Sequence, residues 1–226
     1  MTDMEYITRY AKKKLHEYKT KPYYEYMRKE YGLKKLNLDV AKRRLALNLN
    51  FLSWSELENA TDEHKHLIRL VLSHPNISDD GIIYQSDNPE WDDKRWARHT
   101  TLIAEDLTQW NKCMRIINTA KRIKEILKPI KSINYKTDQY KLCSVLKPHL
   151  SEFLCSFDGV GTVMLVMLMV GFRMVKRDRK VFFNVSEKRI KAIQQILERN
   201  RFLLNNHSDY VLFDRINRNG TLRATI

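Results

Sequence analysis

The stretch DGVGTVMLVMLMVGFRMVKRDRK, Asp158 to Lys180, decides the fold class. From Val160 to Phe172 it holds 13 residues without a charge, too few for the roughly 20 that cross a bilayer. It reads as a buried central helix, and a globular protein of helices must surround it. Met164, Met167, Met169 and Met174 suit core filling there, with an adaptable partner groove as their other use. Gly159-x-Gly161 is a fragment of a dinucleotide-binding fingerprint without the strand that should precede it, so no cofactor is expected. The run ends in RMVKRDRK, where Arg173, Lys176, Arg177, Arg179 and Lys180 crowd into eight residues broken only by Asp178.

Working outward, Val181 to Val185 reads as a short strand, Ser186 as the cap of a helix to about Asn200, and Tyr210 to Ile216 as a second strand. Upstream, a helix covers about Thr137 to Phe157, bent or split at Pro148. A longer one starts at Asn88-Pro89, with Glu90, Asp92 and Asp93 at the positive end of its dipole, and reaches about Leu127. His74 to Pro89 holds Pro75, Gly81 and polar residues, and is the candidate linker. Before it, Ser53 and Glu56 open a helix to about Ser73. Another helix spans about Leu38 to Asn48, and a short one from about Tyr23 ends at Gly32. Thr2 and Glu5 form a capping box for a first helix whose stripe is Met4, Ile7, Ala11, Leu15 and Tyr18. The expected fold is mainly α, a multi-helix globular protein with a small β element near the C-terminus. Two modules are expected, 1–87 helical and 88–226 mainly helical with the β element.

Composition agrees. Six Gly and five Pro in 226 residues are few for a many-stranded architecture, and 43% apolar content is that of a folded chain. Cys113, Cys143 and Cys155 form no CxxC pair, so disulfide and zinc frameworks are not indicated. The first residues lack an apolar signal segment, which predicts a cytoplasmic protein, and the Asn-x-Ser/Thr matches at Asn76, Asn184, Asn206 and Asn219 carry no weight.

Charge is segregated. Residues 1–50 carry a net +7, residues 51–110 a net −7 and residues 111–226 a net +14. Two basic blocks flanking an acidic one suggest a surface for a polyanion, and nucleic acid is the expected partner. The candidate contacts are phosphate contacts from Arg173, Lys176, Arg177, Arg179 and Lys180, extended by Lys188, Lys191 and Arg199 on one face of the next helix. Arginine's planar fork suits phosphate. Lys112, Arg115 and Arg122 align with Thr119 on a helix face away from Leu107, Trp110, Met114 and Ile117. In the first helix Lys12 and Lys13 face away from the apolar stripe, with Tyr6 and Tyr10 at the flank, a pairing that suits backbone tracking with base stacking. Seven of the eleven tyrosines lie in the first 31 residues.

Other chemistries read less well. Asp39 to Asn59 loosely resembles a helix-turn-helix, with Asn50 in a left-handed turn, but Glu56, Glu58, Asp62 and Glu63 give the would-be recognition helix the wrong sign. Asp79, Asp80, Asp87, Asp92 and Asp93 with His74 and His99 contain the ligand types of a metal-dependent nuclease, though an ordinary turn and a helix dipole account for several of them. His64 and His66 point to different faces. The reading is therefore a non-enzymatic, nucleic-acid-binding regulatory or accessory protein without membrane contact. An acidic partner protein docking on the same cations is the second reading.

Overall fold

Residues 1–78, 81–82, 104–150 and 159–206 are described by the structure, a computed structural model. Thr2 and Glu5 form the expected reciprocal box: the Glu5 N–H donates to Thr2 Oγ1 at 3.2 Å and the Thr2 N–H to Glu5 Oε2 at 2.7 Å. α1 (Asp3–Thr20) ends where Pro22 can no longer supply an N–H. A 3-10 turn (Pro22–Tyr24) leads into α2 (Glu25–Tyr31), which stops at Gly32 with φ +71. α3 (Leu38–Asn48) is capped by Asn37, whose Oδ1 accepts from the Val40 N–H at 3.0 Å. Asn50 takes the left-handed turn, φ +63. Its side-chain amide then donates to the Glu105 carbonyl at 2.7 Å and to Thr108 Oγ1 at 3.1 Å, tying the two halves of the chain together.

The single helix expected from Ser53 to Ser73 is two, α4 (Trp54–Glu58) and α5 (Asp62–Ser73). Thr61 is a second cap, with Oγ1 accepting from the His64 N–H at 3.3 Å, and it restarts the helix in a new direction. Ser53 caps α4 as expected, but Glu56 reaches back to the Leu52 N–H, at 2.6 Å, instead of completing the box on Ser53. The expected linker begins with a minimal antiparallel hairpin, β1 (Ile77–Ser78) and β2 (Gly81–Ile82). The long helix expected to reach Leu127 is interrupted at Thr108 and Gln109. Thr108 turns its hydroxyl onto the Ala104 carbonyl at 2.6 Å, Gln109 is extended, and α6 (Trp110–Ile126) starts afresh. Its expected beginning at Asn88 lies outside the described residues.

α7 (Gln139–His149) is capped by Asp138 and tolerates Pro148 in its last turn, while α8 (Val160–Met169) is the expected central helix. The basic run contributes β3 (Met174–Arg177), paired antiparallel with β4 (Lys180–Phe183). The strand expected at Val181 to Val185 overlaps β4, and the cations before it supply its partner strand. The two-residue turn has Asp178 and Arg179 at φ +49 and +59, as a type I′ hairpin requires. No Gly or Asn marks it, which is why sequence hides it. α9 (Glu187–Asn206) closes the described chain; the strand expected at Tyr210 to Ile216 lies outside it.

Every residue from Gly161 to Met167 is buried. α5, α6 and α7 pack around α8 together with both strands of the first hairpin. Leu67, Val71 and Ile77 share this core with Ile116, Ile123, Leu146, Leu165, Phe183 and Ile190. Gly161 is required for close approach, because a Cβ there would collide with the Ser78 carbonyl. A second cluster joins α1, α3, α4 and α5 through Ile7, Ala11, Leu45, Leu49, Leu57 and Ile68, and a third joins Tyr18, Tyr24, Met27, Leu36 and Ala41. No described helix is long and apolar enough to cross a membrane.

Candidate nucleic-acid interface

The second hairpin is held against the connection between α6 and α7, residues 127–138, by a dense set of bonds. Ile130 N–H donates to the Asn184 carbonyl at 2.8 Å and the Asn184 amide donates to the Ile130 carbonyl at 2.7 Å. Asn134 N–H donates to the Phe183 carbonyl at 3.0 Å, and the Val181 N–H to Gln139 Oε1 at 2.7 Å. Pro129 bridges Val185 and Asp138 bridges Phe182. These bonds explain why Gln139 and Asn184 are buried although polar, and the buried Asn134 and Thr137 satisfy each other, the Asn134 amide donating to Thr137 Oγ1 at 3.2 Å. Arg173 joins the clasp by donating from its guanidinium to the Lys131 carbonyl.

Strand alternation divides the hairpin. Met174 and Phe183 turn to the core, while Val175, Phe182, Arg177 and Lys180 share the opposite face. Tyr135 lies on that face, its ring 5.3 Å from Phe182 and 5.8 Å beneath the Arg177 guanidinium, and it remains 52% exposed. Lys180 reaches Asp138 at 3.1 Å. Burial alone would raise the Asp138 pKa; the Lys141 N–H and Lys180 outweigh it and lower it. α9 begins alongside: Arg189 donates to the Ile126 carbonyl at 3.3 Å, and Glu187 pairs with Lys191 at 3.2 Å and Lys136 at 3.6 Å. Those lysines, Lys191 first, hold the Glu187 carboxyl below its usual range.

Residues 128–138 and 173–191 together carry eleven Lys/Arg and three Asp/Glu. Lys128, Lys131, Arg179 and Lys188 are exposed and have no carboxylate partner among the described residues. Of the sequence candidates, Arg173, Arg177, Arg179, Lys180, Lys188 and Lys191 come together here, whereas Lys176, exposed and opposite Val181, alternates onto the other face of the hairpin. Arg199 is exposed on the same helix as Lys188 but eleven residues on, about 16 Å along the axis. Lys128, Lys131, Lys136, Arg189 and Tyr135 were not read as candidates. Their sequence signal was lysines interleaved with a tyrosine, but only the clasp brings that segment to the hairpin.

The α6 face is rotated from its expected position. Lys112, placed by spacing on the outer face, is 8% exposed and bonds to Asp106 at 3.2 Å, and Thr119 is fully buried. Trp110, expected inside, is 62% exposed. α6 packs against both α5 and α8, so its lysine stem is enclosed while its ammonium reaches a carboxylate. Arg115 is half-buried and Arg122 pairs with Glu125 at 2.6 Å. Lys121 pairs with Glu63 at 3.7 Å and Lys65 with Asp62 at 3.7 Å, so described ion pairs from the acidic block fall on α6 and within α5 and not on the hairpin.

On α1, Lys12 and Lys13 are exposed, but Tyr6 lies under Arg69 at 5.6 Å and Tyr10 against Lys14 at 5.7 Å. α1 packs on α3 and α5, and the hairpin on α7. Among the described residues no three His, Cys, Asp or Glu side chains gather as for a metal ion; Asp79 and Asp80 lie outside them. Together these features define a mainly α-helical protein with one aromatic-edged cationic hairpin face. Comparison with protein-family models, with curated proteins and with solved structures finds no match.

Proposed function

We propose that the protein is a nucleic-acid-binding accessory factor whose contact surface is the second hairpin, the segment before α7 and the first turn of α9. The observation that carries this reading is the convergence of cations from two stretches of chain around half-exposed Tyr135. Phosphates would lie along Lys128, Lys131, Arg179 and Lys188, with Arg177 and Tyr135 offering a flat face to a base. Contacts of this kind are mainly to the backbone, so sequence preference is weak. No step in the reading requires catalysis.

The test is salt dependence. If roughly six phosphates are neutralised, affinity for a single-stranded or duplex oligonucleotide falls about a thousandfold between 50 and 200 mM salt. The triple variant Lys131→Glu, Arg179→Asn, Lys188→Glu flattens that slope, whereas Lys12→Glu with Lys13→Glu changes it less. A flat response in the unaltered protein overturns the proposal. An acidic partner protein would use the same cations, and stoichiometric co-purification of a protein without excess absorbance at 260 nm is the result that would favour it.

A further inference from the structure

We infer that a cavity between α1, α2 and α3 is a second binding site, taking a phosphate monoester on a small ring-bearing body. The cavity, open to solvent on one side where Tyr26 is 52% exposed, has a volume of about 150 Å³ and is lined by Tyr10, Lys14, Tyr18, Tyr24, Tyr26, Arg44, Asn48 and the apolar Leu45, Leu49, Leu72 and Ala104. It lies on elements other than those of the cationic hairpin and does not depend on it.

Three features point to that ligand. The first is the sign of the wall. Lys14 and Arg44 line the cavity and no lining residue is acidic. Their carboxylate partners stand outside the lining: Glu17 is 2.8 Å from Lys14 and Glu30 is 3.3 Å from Arg44. The second is unused hydrogen-bonding capacity. Tyr24 OH bonds to Lys14 at 3.2 Å, but the hydroxyls of Tyr10, Tyr18 and Tyr26 and the Asn48 amide have no hydrogen-bond partner among the described residues. Burial raises the pKa of Tyr10, Tyr18 and Tyr26, so all three remain neutral phenols able to donate. Burial opposes the Lys14 charge, yet the Tyr10 and Tyr24 oxygens and Glu17 outweigh it and keep the ammonium. The third is shape. Tyr18 and Tyr24 pack edge to face with centroids 4.7 Å apart, and four apolar side chains supply the remaining wall.

Two cations and several donors converging from three elements match an anion with several acceptor oxygens, and phosphate meets that demand. The apolar wall calls for a flat body attached to it. At about 150 Å³ the cavity is smaller than the roughly 300 Å³ or more of a site that takes up a whole ligand, so it seats the phosphate and its nearest atoms, while the rest of a mononucleotide, or of the 5′ end of a strand, extends through its open side.

Calorimetry of the full chain with adenosine 5′-monophosphate and with adenosine tests the assignment. The monophosphate is expected to bind at least tenfold more tightly than the nucleoside. The double variant Tyr10→Phe, Tyr18→Phe removes two unpaired hydroxyls without leaving a buried partner behind, and is expected to weaken monophosphate binding about tenfold while keeping the wild-type melting temperature. Competition by a 5′-phosphorylated oligonucleotide but not its 5′-hydroxyl form assigns the strand end; competition by neither assigns the free nucleotide. Absence of monophosphate binding, equal affinity for adenosine, or an unaffected double variant overturns the inference. The double variant retains the salt slope of the hairpin, so the two sites fail separately.

Discussion

At the scale of single residues, two positions carry constraints that their chemistry makes testable. Gly161 is buried in α8 against the Ser78 carbonyl, and an added methyl meets backbone on one side and Ile77 Cγ2 at 3.2 Å on the other. Gly161→Ala should therefore cost about 1–3 kcal/mol, read as a lower urea midpoint with an unchanged slope. His64 is 5% exposed, lies tilted against Trp110 at 4.9 Å between ring centroids, and bonds through Nδ1 to Thr61 at 3.2 Å, while its Nε2 has no partner among the described residues. Burial lowers its pKa from the ordinary 6.5. The unfolded chain then binds the proton more readily, so this contribution to stability is complete above about pH 6.5 and is lost as pH falls towards the folded value. Melting temperatures measured from pH 7.5 to 5.5 should decline more steeply for the wild type than for His64→Phe. Parallel curves would remove His64 as a cause.

At the scale of elements, the second hairpin combines a local cost with a site. Arg179 occupies a left-handed position that costs a non-glycine residue about 1 kcal/mol. Arg179→Gly should raise the melting temperature and reduce the salt slope of nucleic-acid binding by about one contact, so stability and binding move in opposite directions. A fall in both would mean that the arginine supports the turn itself. The break between α4 and α5 is the other element-level device. Thr61→Ala should cost about 1 kcal/mol and hasten amide exchange in the first turn of α5, leaving α4 protected. Sequence already displayed the Thr2, Ser53 and Ser186 caps, while the Asn37 cap is seen only in the structure. It understated Thr61 and Thr108, because a threonine inside an apolar periodicity reads equally as interior or cap until the direction of the next helix is known.

At the scale of the whole molecule, one core runs from Leu67 and Val71 through α6, α7 and α8 to Ile193, and the cationic face lies on its α7 and α9 side. Strong salt dependence of binding with a weak contribution from the acidic block is the expected behaviour, because Asp106 and Glu63 of that block pair with Lys112 and Lys121 of α6, and Asp62 with Lys65 of its own helix, away from the hairpin. Periodicity, caps and an uncharged run of 13 residues were enough to determine a helical protein around Val160–Met169 and to single out the basic run after it, since these depend on contacts within a few residues. Which side of α6 faces inward, that Lys112 is enclosed, that the basic run is half of a hairpin, and that Lys131 and Tyr135 join it were decided only by tertiary structure. The Asn134, Gln139 and Asn184 bonds that clasp two segments some fifty residues apart leave no periodic trace in the chain. The tyrosine-lined cavity is of the same kind: the excess of tyrosine was visible along the chain, but the convergence of α1, α2 and α3 onto one space is a property of packing.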